Sequence, residues 1–164
     1  KLDDHRIVVN LQGDEPRMPG SLIDQVAGAL AVNPTARLAT ACRPLEHRNE
    51  YENPDVVKVV RDQENFALYF SRSPIPSSRL TQSTEQSGIH WSIIRRHIGL
   101  YAYRVSYLKH FLQLDSASLE RTEKLEQLRA LWNGDSILVC NAVQAPGPGV
   151  DTLADLEEAI QYFS

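Results

Sequence analysis

The sequence predicts an α/β fold, a mixed sheet with flanking helices and an antiparallel hairpin in its middle, and three observations predict it. A continuous apolar run, RIVV at 6 to 9, is followed by a helix-period stretch and then by a second β-rich run. Two further β-rich runs, VVKVVRD and FALYFSR, are separated only by Gln63, Glu64 and Asn65, which is a hairpin signal. The final third reads as helix, strand and helix in turn.

Taken in order, RIVVNLQ (6 to 12) is a strand whose unbroken apolar start suits a sheet covered on both faces. Pro19 and Gly20 then break the chain. Ser21 offers an N-cap with Asp24 as its capping-box partner, and Leu22, Ile23, Val26, Ala27 and Leu30 share one helical face up to Asn33-Pro34. RLATACRPL supplies the second strand. After the hairpin, SPIPSSRLTQSTEQSG reads as an exposed loop. IRRHIGLYAYRV returns to alternation, with Ile98, Leu100 and Ala102 on one face and His97, Gly99, Tyr101 and Tyr103 on the other. SLERTEKLEQLRALW reads as one helix burying Leu125, Leu128 and Trp132, stopped by Asn133-Gly134. SILVCNAVQ is a strand. A cap at Asp151 or Thr152 then starts a helix that packs through Leu153, Leu156, Ile160 and Phe163. No repeat or domain boundary interrupts residues 1 to 164, so a single α/β domain is expected.

Composition narrows the function. The 164 residues are 42% hydrophobic and 23% charged, with a net charge of -4 and no Lys/Arg block, which argues against a nucleic-acid polymer as partner. No apolar run approaches the roughly 20 residues of a membrane span, and the first residues do not resemble a signal peptide. Cys42 and Cys140 lack CxxC spacing and read as reduced, buried small hydrophobes, so a cytoplasmic location is expected. The patterns HExxH, GxSxG, GxGxxG and GK[ST] are all absent, and the five histidines are scattered.

Polar residues at strand ends carry the chemistry that remains. Asp14, in NLQGDEP, and Asp151, in PGPGVDT, each follow a strand through a glycine-containing turn. Two readings stand for Asp14: a polar turn leaving the core, or a metal or phosphate site at the carboxyl end of a strand. Asp151 is either a helix cap or the second carboxylate of that site. If the two strands are parallel neighbours, the carboxylates converge and, with phosphate oxygens and water, suit Mg²⁺. On pattern alone Arg72 is a surface arginine, His97 a core histidine, and Glu126 and Gln127 solvated residues off the Leu125/Leu128/Trp132 face.

Six collinear blocks change that balance. VNLQGDEP (9 to 16), NPDVVKVVRD (53 to 62), ALYFSRSPIP (67 to 76), RHIGLYAYR (96 to 104), LEQLRALWNGD (125 to 135) and PGPGVDTLADLE (146 to 157) resemble the 3-deoxy-D-manno-octulosonate cytidylyltransferases, or CMP-KDO synthetases. The resemblance implies a nucleotide-diphosphosugar-transferase-like, Rossmann-like fold. It also implies the coupling of CTP and the acid sugar KDO to CMP-KDO and pyrophosphate, for lipopolysaccharide synthesis. Carried over motif by motif, Asp14 and Asp151 would be the catalytic Mg²⁺ carboxylates. Gln12 would face the sugar, Arg72, His97 and Tyr101 would line its pocket, and Glu126 and Gln127 would bind its hydroxyls. A homodimer is implied as well.

The sequence also departs from the family. Members begin with a strand and a loop resembling IPARYxSxRLPGKPL that contacts the nucleotide phosphates, and nothing here matches it. The resemblance therefore covers the later two-thirds of a typical member, and a span without that front is expected to expose a sheet edge. SSRLTQSTEQSG stands where relatives carry Trp-Asp-Arg, and GPG stands where GTG is usual. Two alternatives remain open: a cytidylyltransferase for another acid sugar, and a non-catalytic remnant that acts by dimerising or binding.

Overall fold

The structure is a computed structural model that describes residues 3–77, 93–150 and 152–163. Asp151 and most of the Ser/Thr/Gln-rich segment after Ser77 lie outside the described residues.

Among the described residues six strands form one mixed sheet. They are β1 (Ile7–Asn10), β2 (Leu38–Pro44), β3 (Lys58–Arg61), β4 (Ala67–Ser71), β5 (Arg95–Arg104) and β6 (Ile137–Asn141). β5 organises the sheet. One of its edges is taken along its length by antiparallel β2, which in turn pairs parallel with β6. The other edge is shared: β1 pairs with Tyr101 to Arg104, and β3 with Arg95 and Arg96. β1 and β6 therefore run parallel but are separated by β5 and β2, so the two strands are not the parallel neighbours that the convergence of their carboxylates is conditioned on. Their following loops meet by another route, described below.

Alternation along β2 and β5 divides the core. Ala39, Ala41, Ile98, Leu100 and Ala102 face Leu22, Val26 and Leu30 of α1 (Gly20–Val32). Leu38, Cys42, Tyr101 and Tyr103 point to the opposite face, toward α3 (Val105–Phe111), α4 (Ser118–Glu123), α5 (Leu128–Trp132) and the hairpin. A small satellite of Leu45, Tyr51, Val56 and Ile94 sits under α2 (Arg48–Glu52). The hairpin tip reaches β6, where Asn65 O accepts the Val139 N–H at 2.9 Å and Arg61 donates to Val139 O at 2.8 Å. These bonds satisfy part of an outer strand edge that would otherwise be open.

Several local expectations are corrected. α1 begins at Gly20 after Pro19 with no side-chain cap, and Ser21 Oγ instead donates to Gln144 Oε1 at 3.1 Å. The expected long helix at 118 to 132 is two short helices, because Lys124 adopts a left-handed conformation with φ 56°. The break resets the helical phase, which leaves Trp132 57% exposed and buries Gln127 to 4% exposure. The helix α6 (Leu153–Phe163) buries only Ala159, and Leu153, Leu156, Ile160 and Phe163 are exposed; the described residues that border this face are the loop residues Gly13, Pro16 and Val150. Its cap belongs to Thr152: Thr152 N–H donates to Asp155 Oδ2 at 2.8 Å and Asp155 N–H donates back to Thr152 Oγ1 at 3.2 Å. Cys42 is buried, Cys140 is half-buried, and both thiols are free.

Candidate functional site

The shared edge of β5 makes the site. β1 and β3 both run antiparallel to β5, and the stretch of β5 between their pairings contains His97 and Gly99. On its other edge β5 bulges, since Ala41 pairs with Ile98 but Thr40 pairs with Tyr101. The two extra residues are Gly99 and Leu100. A bulge frees backbone groups and re-aims side chains, and here the Thr40 hydroxyl takes up the slack. Its Oγ1 lies 3.1 Å from Ile98 O, 2.8 Å from Leu100 O and 2.9 Å from His97 Nε2. Gln12, two residues past β1, lies over Gly99, where a β-carbon would sit 3.5 Å from Gln12 Oε1.

A cavity of about 450 Å³ opens at this gap. Gln12, Arg72, His97, Tyr101, Glu126 and Gln127, the six residues expected to meet the sugar, all line it. They come from four separate stretches of chain. The α4–α5 break puts Lys124 through Gln127 into the wall, so the departure from a continuous helix is what gives the cavity that side. The remaining wall includes Glu15, Asp55 and Arg96, so polar groups dominate and charges of both signs are present. Such a wall suits a ligand with many hydroxyls and an anionic group better than an apolar ligand.

Arg72 is not the free surface residue that local pattern suggested. Its Nε donates to Glu123 O at 2.9 Å and its Nη1 to Pro54 O at 3.1 Å, and its backbone N–H donates to Glu123 Oε2 at 3.0 Å. Beneath it the fully buried Lys58 ammonium donates to Asn53 O at 2.9 Å, Val56 O at 2.5 Å and Arg72 O at 2.5 Å. Burial, then the neighbouring Arg72 charge, lower the Lys58 pKa.

His97 belongs to an aromatic row on one face of β5. Its ring centroid is 5.0 Å from Phe70, edge-on, and 5.4 Å from Tyr101, and Tyr101 lies 6.0 Å from Tyr103. Burial drives its pKa down to about 3, so the ring is neutral at physiological pH. Burial also pushes the Tyr101 phenol well up, reinforced by Tyr103 and Glu126, so that it stays protonated.

A second cavity of about 470 Å³ adjoins the first, sharing Glu15, Arg96, His97 and Gly99, and is closed by the loop 146–149. Here the two strand-end loops come together. Val150 N–H donates to Asp14 O at 2.8 Å and Gly147 N–H to Arg17 O at 3.3 Å. Asp14 is exposed at this junction, and Asp151, the next residue after Val150, lies outside the described residues. Asp14 offers hard carboxylate oxygen, and among the described residues no group of three or more His, Cys, Asp or Glu side chains is gathered for a metal. One or two carboxylates completed by phosphate and water is the donor set that Mg²⁺ takes.

Sequence reasoning missed three contributors. Arg96 lines both cavities and is held by Glu50 Oε1 at 2.9 Å, a carboxylate that also pairs with Arg43. Burial raises the Glu50 pKa, but hydrogen bonds from Arg43 and Arg96 outweigh it and hold the carboxyl below its usual range. Glu123 and Thr40 are the others. Arg96 sits inside the RHIGLYAYR block and could have been flagged there. A lone threonine inside a β2 strand carries no signal.

The family model described as Cytidylyltransferase matches residues 1–137. The 3-deoxy-manno-octulosonate cytidylyltransferase of Nitrosococcus oceani is 49% identical over 163 residues, an alignment covering 98% of this chain and 62% of that protein. The protein of the same name from Pseudomonas fluorescens is 52% identical over 155 residues, covering 92% and 60%. A solved structure of CMP:2-keto-3-deoxy-manno-octonic acid synthetase complexed with CTP superposes with a TM-score of 0.82 at 37% identity, covering 96% of this chain and 61% of that one. The chain thus spans about 62% of the length of these curated relatives.

Proposed function

Since this chain belongs to the cytidylyltransferase family, we propose that it carries the acid-sugar side of an enzyme that couples CTP and KDO to CMP-KDO and pyrophosphate. The observation that carries the reading is the polar cavity of about 450 Å³ lined together by Gln12, Arg72, His97, Tyr101, Glu126 and Gln127. Relatives named for this reaction support the choice of substrates.

In this reading Arg72 meets the sugar carboxylate. Its guanidinium is already held at Nε and Nη1 by two carbonyls, so its remaining N–H groups are oriented before the ligand arrives. Glu126 and Gln127 take sugar hydroxyls. The anomeric hydroxyl of KDO attacks the α-phosphorus of CTP in line: a new P–O bond forms, the bond to pyrophosphate breaks, and the hydroxyl proton is lost to solvent. No covalent enzyme intermediate is required, and the protein contributes position and charge. Asp14 and Asp151 would hold Mg²⁺, which when bound neutralises the triphosphate. Arg43 and Arg96, in the adjoining cavity, add cationic charge on the phosphate side. The same reading carries a cytoplasmic, homodimeric enzyme of lipopolysaccharide synthesis.

The test is pyrophosphate release with CTP, KDO and Mg²⁺, each omitted in turn. Release that requires all three supports the reading. A folded protein that binds neither KDO nor CTP would instead favour the non-catalytic alternative, and turnover with a different acid sugar in preference to KDO would move the substrate.

A further inference from the structure

The Thr40 hydroxyl has one proton and three close neighbours, two of which, Ile98 O and Leu100 O, can only accept. If that proton went to His97 Nε2, both carbonyls, at 3.1 and 2.8 Å, would face hydroxyl lone pairs in a fully buried site. The favourable arrangement gives the proton to Leu100 O, the shorter contact, and leaves the Thr40 oxygen to accept from His97 at 2.9 Å. His97 must then carry its proton on Nε2. Its Nδ1 is left with a lone pair, has no hydrogen-bond partner among the described residues, and belongs to a ring that lines both cavities.

We propose that Thr40 is a positioning residue that fixes His97 as the Nε2–H tautomer, so that Nδ1 presents an acceptor to a hydroxyl of the bound sugar. This deepens the acid-sugar reading of the cavity and rests on it. The geometry makes His97 a reader of hydroxyl groups and excludes it as a partner for the sugar carboxylate, because a neutral lone pair repels an anion. The carboxylate is left to Arg72. The same device explains why the bulge at Gly99–Leu100 is useful: it aims two carbonyls at Thr40 and thereby decides which way the Thr40 proton points.

The test is ¹⁵N NMR of histidine-labelled protein at neutral pH, with the His97 ring signals assigned by loss in His97→Gln. The expected result is a neutral ring with Nε2 protonated and Nδ1 bare, and a shift of the Nδ1 signal when KDO is added. Thr40→Val should give a mixed tautomer population and weaken KDO binding about tenfold, the scale of one lost hydrogen bond, while Thr40→Ser should restore both. A Nδ1–H ring or an imidazolium in the unmodified protein would overturn the proposal without any variant, and so would a Thr40→Val protein with unchanged tautomer and affinity. KDO that binds without moving the Nδ1 signal would overturn the acceptor role. No KDO binding by a protein whose tautomer is as expected would overturn the acid-sugar reading while upholding the Thr40 lock.

Discussion

Glu123 grips Arg72 from two directions: its carboxylate accepts the Arg72 backbone N–H at 3.0 Å, and its carbonyl accepts Arg72 Nε at 2.9 Å. The other carboxylate oxygen takes the Ser71 hydroxyl at 2.7 Å. The start of the α4–α5 break is thereby fastened to the end of β4 at the wall of the cavity. Replacing Glu123 with alanine should lower stability by about 1–2 kcal/mol and weaken KDO binding about tenfold. Denaturant melts and calorimetric titration read the two effects, and unchanged affinity would remove Glu123 from the account of Arg72.

Lys58 stabilises the same corner from inside. Its ammonium spends its three donors on the carbonyls of Asn53, Val56 and Arg72. Lys58→Met keeps the stem and removes the charge, leaving three carbonyls short of a donor. A loss of about 2–4 kcal/mol in unfolding free energy is expected, and a variant as stable as the parent would show that water replaces the ammonium at no cost.

Gly147 holds the two strand-end loops together. A β-carbon there would lie 2.8 Å from both Cβ and Cδ of Arg17, and Cβ, so close to the backbone, cannot swing away. Arg17 is itself fixed, pairing with Glu158 at 2.9 Å and lying 4.8 Å over the Tyr162 ring. Gly147→Ala should therefore push the loop 146–149 away from Asp14, and in the proposed reaction reduce turnover at least tenfold with little loss of KDO affinity. Equal loss of both would show that the loop serves the sugar cavity instead.

His97 gives the protein an acid-sensitive core. Its folded pKa of about 3 lies below its ordinary 6.5, so the unfolded chain binds the proton more readily. This group's contribution to stability is complete above pH 6.5 and is lost as pH falls toward 3, by up to about 4 kcal/mol. His97→Gln should flatten the pH dependence of unfolding between 6.5 and 3, as read by denaturant melts across that window, and an unchanged slope would place the titration elsewhere.

Strand periods carried much of the fold into view. The face shared by His97, Tyr101 and Tyr103 is read directly from alternation, and the hairpin from its two β-rich runs. What stayed hidden depended on tertiary context. A lysine at 124 gives no warning of a left-handed residue, yet that residue moves Gln127 inward and Trp132 outward. The apolar stripe of α6 is periodic, but periodicity cannot say that it stays exposed. For the site, residue pattern alone gave Arg72, Glu126 and Gln127 to solvent, and only the collinear blocks assigned them to a pocket. Thr40 and Lys58 act through hydrogen bonds to carbonyls brought close by a bulge and a hairpin, which no local pattern encodes.

The most direct measurement is a calorimetric titration of KDO into the folded protein and into Arg72→Ala. The account predicts saturable one-to-one binding that falls at least tenfold in the variant, because the sugar carboxylate loses its guanidinium. Absence of binding by the folded parent, or equal binding by both proteins, would contradict the assignment of this cavity to an acid sugar.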